Sequence, residues 1–494
     1  MSELRFDSEN NNLFNQNVEE TDKYTSIINL NKYEFLTHSY YGSGGYRDGS
    51  YLIPHTREMF LRHRKELSAY RNFLKPILDS LITPVFSQES IRIVQDTNGN
   101  EINGDTLYGT FIEDVNKNGD DIQCFTEQAV TYARLHGVCF IVMDNYNVLD
   151  IPKTVNESIT NRIMPYVYLR MANSVETYTI DHYGNLQSIT FEEQPVEVDG
   201  KLEKRYRVWT TAYSQVLKKD KNDKFIEAEP LVFHGLGELP VISLYSIKKK
   251  CINDILVDPP LYDIARLNHL LYNKDSCILD QERAQAFSNF YIQGDNNGNV
   301  TLGPHNVIFV PMDATMSPGF ASPDSSILAG LVANADKLKD SIFQIAQQNG
   351  VYGIQEAKSG LAMSYDFYAQ EYQLHKTASM ATFCEQSIAD LFKLYTNTDF
   401  EYVVEYPDEY QPGNSKAIID TYKVVLDMGV PDKFKNAIFE KMANLLFSED
   451  DETKLKEIID DINKEEVDGD STETREIGEV GDSDPDEERS NDRM

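Results

Sequence analysis

Two stretches decide the fold: 256-LVDPPLYDIARLNHLLYNKDSCILDQERAQAF-287 and 326-SILAGLVANADKLKDSIFQIAQQNG-350. In the first, Leu256, Leu261, Ile264, Leu267, Leu271 and Ile278 recur between polar residues, which predicts an amphipathic helix of about 25 residues or more. Pro259 and Pro260 stand where a first helical turn tolerates proline. In the second, Leu328, Leu331, Ala335, Leu338, Ile342 and Ile345 alternate at spacings of three and four, a narrow seam suited to another helix lying alongside. Ser325 or Ser326 is the candidate cap. Between them, Phe290 to Ile292, Val300 to Leu302 and Val307 to Val310 read as short strands, with turns at Gly294–Gly298, Gly303-Pro304 and Ser317–Gly319. After Asn349-Gly350 a glycine-rich loop runs to Gly360, and a third helix extends from about Leu361 to Tyr395, roughly 50 Å long.

Working outward, residues 1–25 read as a flexible, acidic arm, and Gly42–Gly45 with Gly49 as a loop. A helix is expected from about Thr56 to Phe86, kinked or split at Pro76. Residues 87–120 read as strand and turn around Ile91–Val94. Asp121–Leu135 is a helix stopped by Gly137, and Val138–Met143 a buried strand. The β pattern Tyr166–Leu169, Val175–Ile180, Leu186–Glu192 and Tyr206–Thr210, with turns at His182–Asn185 and Asp199-Gly200, is a meander. Lys218, Lys219 and Lys221 fall in a charged turn before the apolar run Leu231–Phe233. Val241–Tyr245 is a strand, followed by Lys248, Lys249 and Lys250. Residues 26–250 are thus one α+β domain. Beyond the third helix, Phe400–Tyr406 is a strand, helices follow at about Ser415–Met428 and Pro431–Leu446, and 453–466 extends as one more charged helix. No internal repeat is evident.

The chain has 494 residues, 46 basic and 80 acidic, for a net charge of −34. Residues 449–494 hold 20 acidic and 6 basic side chains, and this acidic end reads as disordered by composition. Such a chain is no conventional nucleic-acid binder, because affinity for phosphate comes mainly from Lys and Arg. It fits either plain solubility or a surface that touches DNA without holding it. Apolar content of 41% supports a folded core, and no apolar run is long enough for a membrane span. Met1 to Glu20 lacks the apolar core of a signal peptide. The five cysteines are widely spaced and form no CxxC pair, which fits a reducing cytoplasm.

Motifs of catalysis are weak. Asp114, Asn116, Asn118 and Gly119 imitate half a calcium loop, but Phe125 stands where the bidentate Glu belongs, so a turn capping the next helix is the better reading. Gly235-Leu-Gly237 lacks the third glycine of a dinucleotide loop, and there is no Walker lysine motif. The nine histidines show no ligand spacing; His55 and His63 lie too far apart for one metal. Acid pairs such as Glu192-Glu193 and Glu401/Glu405 come without a nucleophile or oxyanion hole. The sequence therefore predicts no enzyme, no cofactor and no metal. Lys248, Lys249, Lys250 and the Lys218/Lys219/Lys221 cluster read either as solvated turns or as phosphate contacts.

The order of these parts resembles the portal proteins of tailed bacteriophages over about residues 50–447. It runs from an N-terminal arm and a helix ending in Pro84–Ser87 through a helix–strand pair and a meander around Tyr178–Gln187. The proline-led strand Leu239–Leu244 follows, then helix, small β module, helix, glycine loop and long helix. The resemblance implies an α+β, portal-like fold divided as follows: arm 1–49, wing 50–258, first stem helix 259–289, clip 290–324 and second stem helix 325–348. A tunnel loop 349–360 comes next, then a connecting helix and strand 361–407, crown helices 408–466 and an acidic tail 467–494. It further implies a homo-oligomeric ring of twelve at one capsid vertex of a virion assembled in the host cytoplasm, with double-stranded DNA passing through it. The terminase large subunit, head-completion or tail adaptor proteins, and the major capsid or scaffold protein would be its partners, with no membrane involved. Asn349, Gly350, Tyr352, Gly353, Lys358, Ser359 and Gly360 would face DNA. Asp295, Asn296, Asn297, Asn299 and His305 would lie on the docking clip. Another head–tail connector or minor capsid component, or a hydrolase or nuclease with an acidic metal site, are the alternatives.

Overall fold

The computed structural model describes residues 4–5, 31–55, 58, 61–87, 89–95, 106–145, 154–198, 200–286, 289–291, 293, 315–317, 319–321, 325–346, 360–407, 410, 435 and 438–439. It divides into two units, Met1–Tyr410 and Gln411–Met494. In the second only Lys435, Ile438 and Phe439 are described, all helical, so the expected crown helices and the acidic tail lie outside the described residues.

In the first unit, β1 (Leu4–Arg5) pairs with a meander strand named below. Helix α1 (Lys32–Tyr41) is capped by the Asn31 side chain, which accepts from Tyr33 N at 3.0 Å, and is stopped by Gly42 in the left-handed region. The short α2 (Gly45–Asp48) follows. These segments correct the expectation of an arm over 1–49: Phe35, Leu36, Tyr40 and Tyr46 are buried in the main core. The expected long helix from Thr56 is two, α3 (Leu61–Leu67) and α4 (Leu74–Phe86). The break falls at residues 68–73 rather than at Pro76. Asn268 pulls that segment out of helical geometry by accepting from Phe73 N at 3.0 Å and donating to Arg71 O at 3.1 Å. Pro76 sits in the first turn of α4, where a missing N–H costs nothing.

Strand β2 (Ile91–Gln95) is followed by α5 (Leu107–Glu113), a helix where the sequence predicts strand and turn. Helix α6 (Ile122–His136) has Asp121 as its cap, accepting from Cys124 N at 2.7 Å, and Gly137 as its stop. The calcium-like loop ahead of it is a turn closed on itself, with Asp114 Oδ1 accepting from Gly119 N and Asp114 paired with Arg162. Strand β3 (Val138–Asp144) is the centre of the fold: from Val138 to Met143 every residue is fully buried. Alternation sends Cys139, Ile141 and Met143 into the helical core, and Val138, Phe140 and Val142 into a second core.

Helix α7 (Val155–Asn161) and β4 (Tyr166–Met171) precede the meander. It runs β5 (Val175–Ile180), β6 (Leu186–Glu192), β7 (Val196–Val198), β8 (Lys201–Glu203), β9 (Tyr206–Thr210), β10 (Tyr213–Lys219), β11 (Phe225–Glu227) and β12 (Val232–Phe233). The large sheet has the order β1-β5-β6-β9-β10-β11, with β12 also on β10, while β7 and β8 form a separate hairpin. Its inner face, with Tyr178, Ile189, Phe191 and Trp209, closes the second core over Phe140. Lys218 and Lys219 belong to β10, not to a turn, and are tied to Glu203 at 3.1 Å and Glu176 at 2.5 Å. Strand β13 (Val241–Tyr245) flanks β3 opposite β4, with Leu244 opposite Cys139 and Ile141 opposite Leu169.

Helix α8 (Tyr262–Ala286) begins after Pro259 and Pro260 rather than including them in its first turn. Strands β14 (Asn289–Tyr291) and β15 (Gly319–Ala321) pair antiparallel across the next segment. Helix α9 (Ser325–Ile345) packs on α8, and α10 (Gly360–Thr396) is a 37-residue helix, about 55 Å at the usual rise. Finally β16 (Glu401–Glu405) pairs antiparallel with β2. Helix α10 lays Leu374, Ala378, Ala381, Cys384, Ile388 and Phe392, spaced by three and four, into the helical core beside α4 and α6. The fold is therefore α+β: a helical layer, a three-stranded sheet and the meander over its far face.

Candidate functional site, the rooted helical hairpin

Helices α8 and α9 form an antiparallel pair whose two halves differ. In α8, Ile264, Ala265, Asn268, His269, Leu271, Tyr272 and Ser276 are buried; from Cys277 to Ala286 no residue is. In α9 the buried residues are Ala335, Ile342 and Phe343, and between Ser326 and Asn334 none is. In the outer half, Leu328 and Leu331 are half-buried. Leu279, Ile327 and Val332 stay exposed, at 40%, 55% and 40% of their surface.

The inner half is rooted by polar side chains. Arg71 forks onto Asp275, with contacts of 2.7 and 2.6 Å. Arg64 pairs with Glu58 and donates to Ser276 Oγ at 3.1 Å and to Ile53 O at 2.7 Å. Asn273 Oδ1 accepts from Ile53 N at 2.8 Å, and His269 Nε2 lies 2.8 Å from Tyr51 O. Bidentate charge-assisted bonds of this kind fix orientation as well as add energy. Burial lowers the pKa of His269, which favours the neutral ring against the Tyr51 carbonyl.

The approach to α8 is set by Asp258, which bridges Lys32 at 3.1 Å and Lys250. Those hydrogen bonds hold its carboxyl below the usual carboxylate range. Lys250 is thus engaged with an acid, Lys249 lies over the Tyr245 ring at 4.8 Å, and Lys248 is exposed. Of the expected channel residues, Asn349, Gly350, Tyr352, Gly353, Lys358 and Ser359 lie outside the described residues, and Gly360 is the first residue of α10. Asp295, Asn296, Asn297, Asn299 and His305 of the expected clip also lie outside them.

Sequence reasoning missed the rooting ladder and two buried charges, Arg134 and Glu385. Each sits on an otherwise apolar helix stripe, Arg134 beside Ala133 and Val130, Glu385 between Ala381 and Ile388, and a lone charge in that setting is the signal available. All five cysteines are free thiols. Among the described residues no group of three His, Cys, Asp or Glu is placed to hold a metal, and no helix is long and apolar enough to cross a membrane.

Fold and site together define an α+β protein that presents a helical hairpin rooted at one end. No family model and no curated protein matches this chain. Among solved structures, it is similar to a chain in the neck of an empty gene transfer agent (GTA) particle computed with C6 symmetry. The two share 10% identity with a TM-score of 0.38, over 77% of this chain and 92% of that one. A chain in the virion of the native GTA particle shares 10% identity with a TM-score of 0.37, over 86% and 98%. A third, from the neck of the native particle computed with C12 symmetry, gives 10% and 0.37, over 78% and 90%.

Proposed function

We propose that this chain is a portal-type subunit that assembles into a ring at one vertex of a phage-like capsid, with double-stranded DNA passing through the central channel. The observation that carries the reading is the uncovered outer half of the hairpin. Residues 277–286 and 326–334 have no buried side chain, yet Leu279, Ile327 and Val332 are apolar and exposed. A pair of helices gains little from burying one seam; neighbouring copies set side by side would cover the rest. The element order adds support: meander, proline-led β13, α8, a short antiparallel strand pair, α9 and the long α10 follow the sequence of parts in portal proteins.

On this reading α8 and α9 are the stem, and 290–324 is the clip that meets the terminase large subunit and later head-completion or tail adaptor proteins. Asn349–Gly360 is the loop nearest DNA, and the wing meets capsid or scaffold protein. The net charge of −34 suits a channel that must not grip its cargo. Each neutralised phosphate releases counterions and strengthens binding, so few basic contacts leave DNA free to move. Engagement of Lys250 and Lys219 with acids removes two of the cations a DNA grip would use. The role is structural, with assembly in the host cytoplasm and residence in the virion.

The test is native mass spectrometry with negative-stain electron microscopy of the full chain. Rings of about a dozen copies with a DNA-wide central hole support the reading. A closed dimer, or a ring without a bore, overturns it in favour of another connector or minor capsid role.

A further inference from the structure

A cavity of about 290 Å³ lies at the root of the hairpin, walled by α4, α6, the start of α8, the end of α9 at Ile345 with the following Ala346, and α10. Its apolar wall comes from residues such as Ile77 and Ile264, and its polar wall from Arg134, Ser246, Gln370, Gln373 and Lys376. Arg134 is 7% exposed. Its Nη1 donates to Gln373 Oε1 at 3.0 Å, and its Nη2 to Gln373 O at 2.6 Å and Thr377 Oγ1 at 2.7 Å. Its Nε is buried without a partner. Every acceptor Arg134 has is neutral, and among the described residues no carboxylate lines the cavity. Two cations therefore line one partly open cavity without a carboxylate among its described residues, an arrangement that an entering anion would relieve.

We propose that this cavity is an oxyanion site, in which the Arg134 guanidinium and Lys376 take a carboxylate or phosphate-type group, with the Gln370 amide as a further donor. Burial lowers Arg134 to about 10, and burial with Arg134 close by lowers Lys376 as well, so both groups hold their charge less firmly in the empty site. A bound oxyanion stabilises both charges. Because Gln370, Gln373 and Lys376 belong to α10 and Arg134 to α6, occupancy ties the long helix to the root of the hairpin. This inference stands apart from the channel reading and does not need it.

The anion has two sources, a free ion or an acidic side chain of a second copy, and one experiment separates them. Thermal unfolding of the full chain is followed while inorganic phosphate replaces chloride at constant ionic strength, for the dispersed subunit and for self-associated protein separated by gel filtration. The expected result is a saturable rise in Tm of the dispersed wild type that is at least halved in Lys376→Gln and absent in Arg134→Gln. If the same rise is seen in the associated form, a free ion is the occupant; if it vanishes there, a carboxylate of a second copy already fills the site. Lys376 is only half-buried, so Lys376→Gln reports even where Arg134→Gln misfolds. Equal phosphate responses in wild type and Lys376→Gln, or none in the dispersed wild type, overturn the proposal.

Discussion

Glu385 of α10, with no exposed surface, accepts from both Nε and Nη2 of Arg92 on β2, at 3.0 and 2.9 Å. The Tyr402 and Tyr406 hydroxyls donate to the same carboxylate at 2.5 Å each, and Arg92 Nη1 reaches Gln123 at 3.1 Å. Glu385 and Arg92 together thus join α10, α6 and the β2–β16 pair. Burial, with the Glu385 charge added, raises both tyrosines far above their ordinary pKa, so they stay protonated donors.

Removing one member of such a buried network leaves the others unpaired. Glu385→Ala is expected to destabilise the first unit by about 3–5 kcal/mol in urea unfolding, because Arg92 loses its counter-charge. Replacing both partners, as in Arg92→Met/Glu385→Leu, recovers most of that loss, since neither charge is then stranded. A single-variant loss under about 1 kcal/mol, the size of an exposed pair, contradicts this account.

His136 supplies the pH dependence. It is fully buried at the end of α6, Nε2 lying 3.1 Å from Thr37 Oγ1, and burial pushes its pKa from 6.5 down to about 4. Between these values the unfolded chain binds a proton that the folded one refuses. Stability is therefore intact above pH 6.5 and falls as the pH drops toward 4, by about 3 kcal/mol over the window. His269, lowered the same way, acts in the same direction. Urea midpoints measured from pH 7 to 4.5 should fall in the wild type and fall less in His136→Gln; parallel profiles would rule out His136 as a source.

Gly137 joins α6 to β3 with φ of +88°, and an added Cβ would meet Val257 Cγ2 at 2.6 Å. Val257 is buried on the approach to α8, where its carbonyl accepts from Tyr33 Oη at 2.9 Å. Gly137→Ala should cost about 1–3 kcal/mol for the left-handed backbone alone, with the displacement of Val257 added. Differential scanning calorimetry measures it, and a Tm equal to that of wild type would show that the junction has slack.

The sequence made the regular parts legible where one periodicity dominates. Helices α6, α8, α9 and α10 and strands β3, β5, β6, β9 and β13 all fall where the apolar pattern and the caps Asp121 and Gly137 put them. Long-range partners were not legible. The break between α3 and α4 is caused by Asn268, nearly two hundred residues away, whereas Pro76 is harmless in a first turn. Residues 32–48 look polar and glycine-rich, yet Tyr40 and Tyr46 bury their rings and hand their hydroxyls to Asp79 and Ser39. Lys219 and Lys250 read as free cations because Glu176 is distant in sequence and Asp258 lies across a turn. Pairings of that kind depend on topology, which no local pattern carries.

The hairpin yields the prediction that bears most directly on function. Leu279 and Val332 are each 40% exposed and lie on the outer half of α8 and α9, where no side chain is buried. If they are covered by neighbouring copies, Leu279→Ser and Val332→Ser leave the dispersed subunit within about 0.5 kcal/mol of wild type, as surface changes do. In the assembly each contact recurs at every interface, so a loss of about 1.4 kcal/mol weakens each association step about tenfold. Ile342→Ala is the contrast: fully buried on the seam, it should cost the isolated subunit about 2–5 kcal/mol whatever its assembly state. Sedimentation velocity over a concentration series distinguishes the two effects. Serine variants that assemble at the same concentration as wild type would mean that the outer hairpin faces solvent in the assembly, and that copies associate through some other surface.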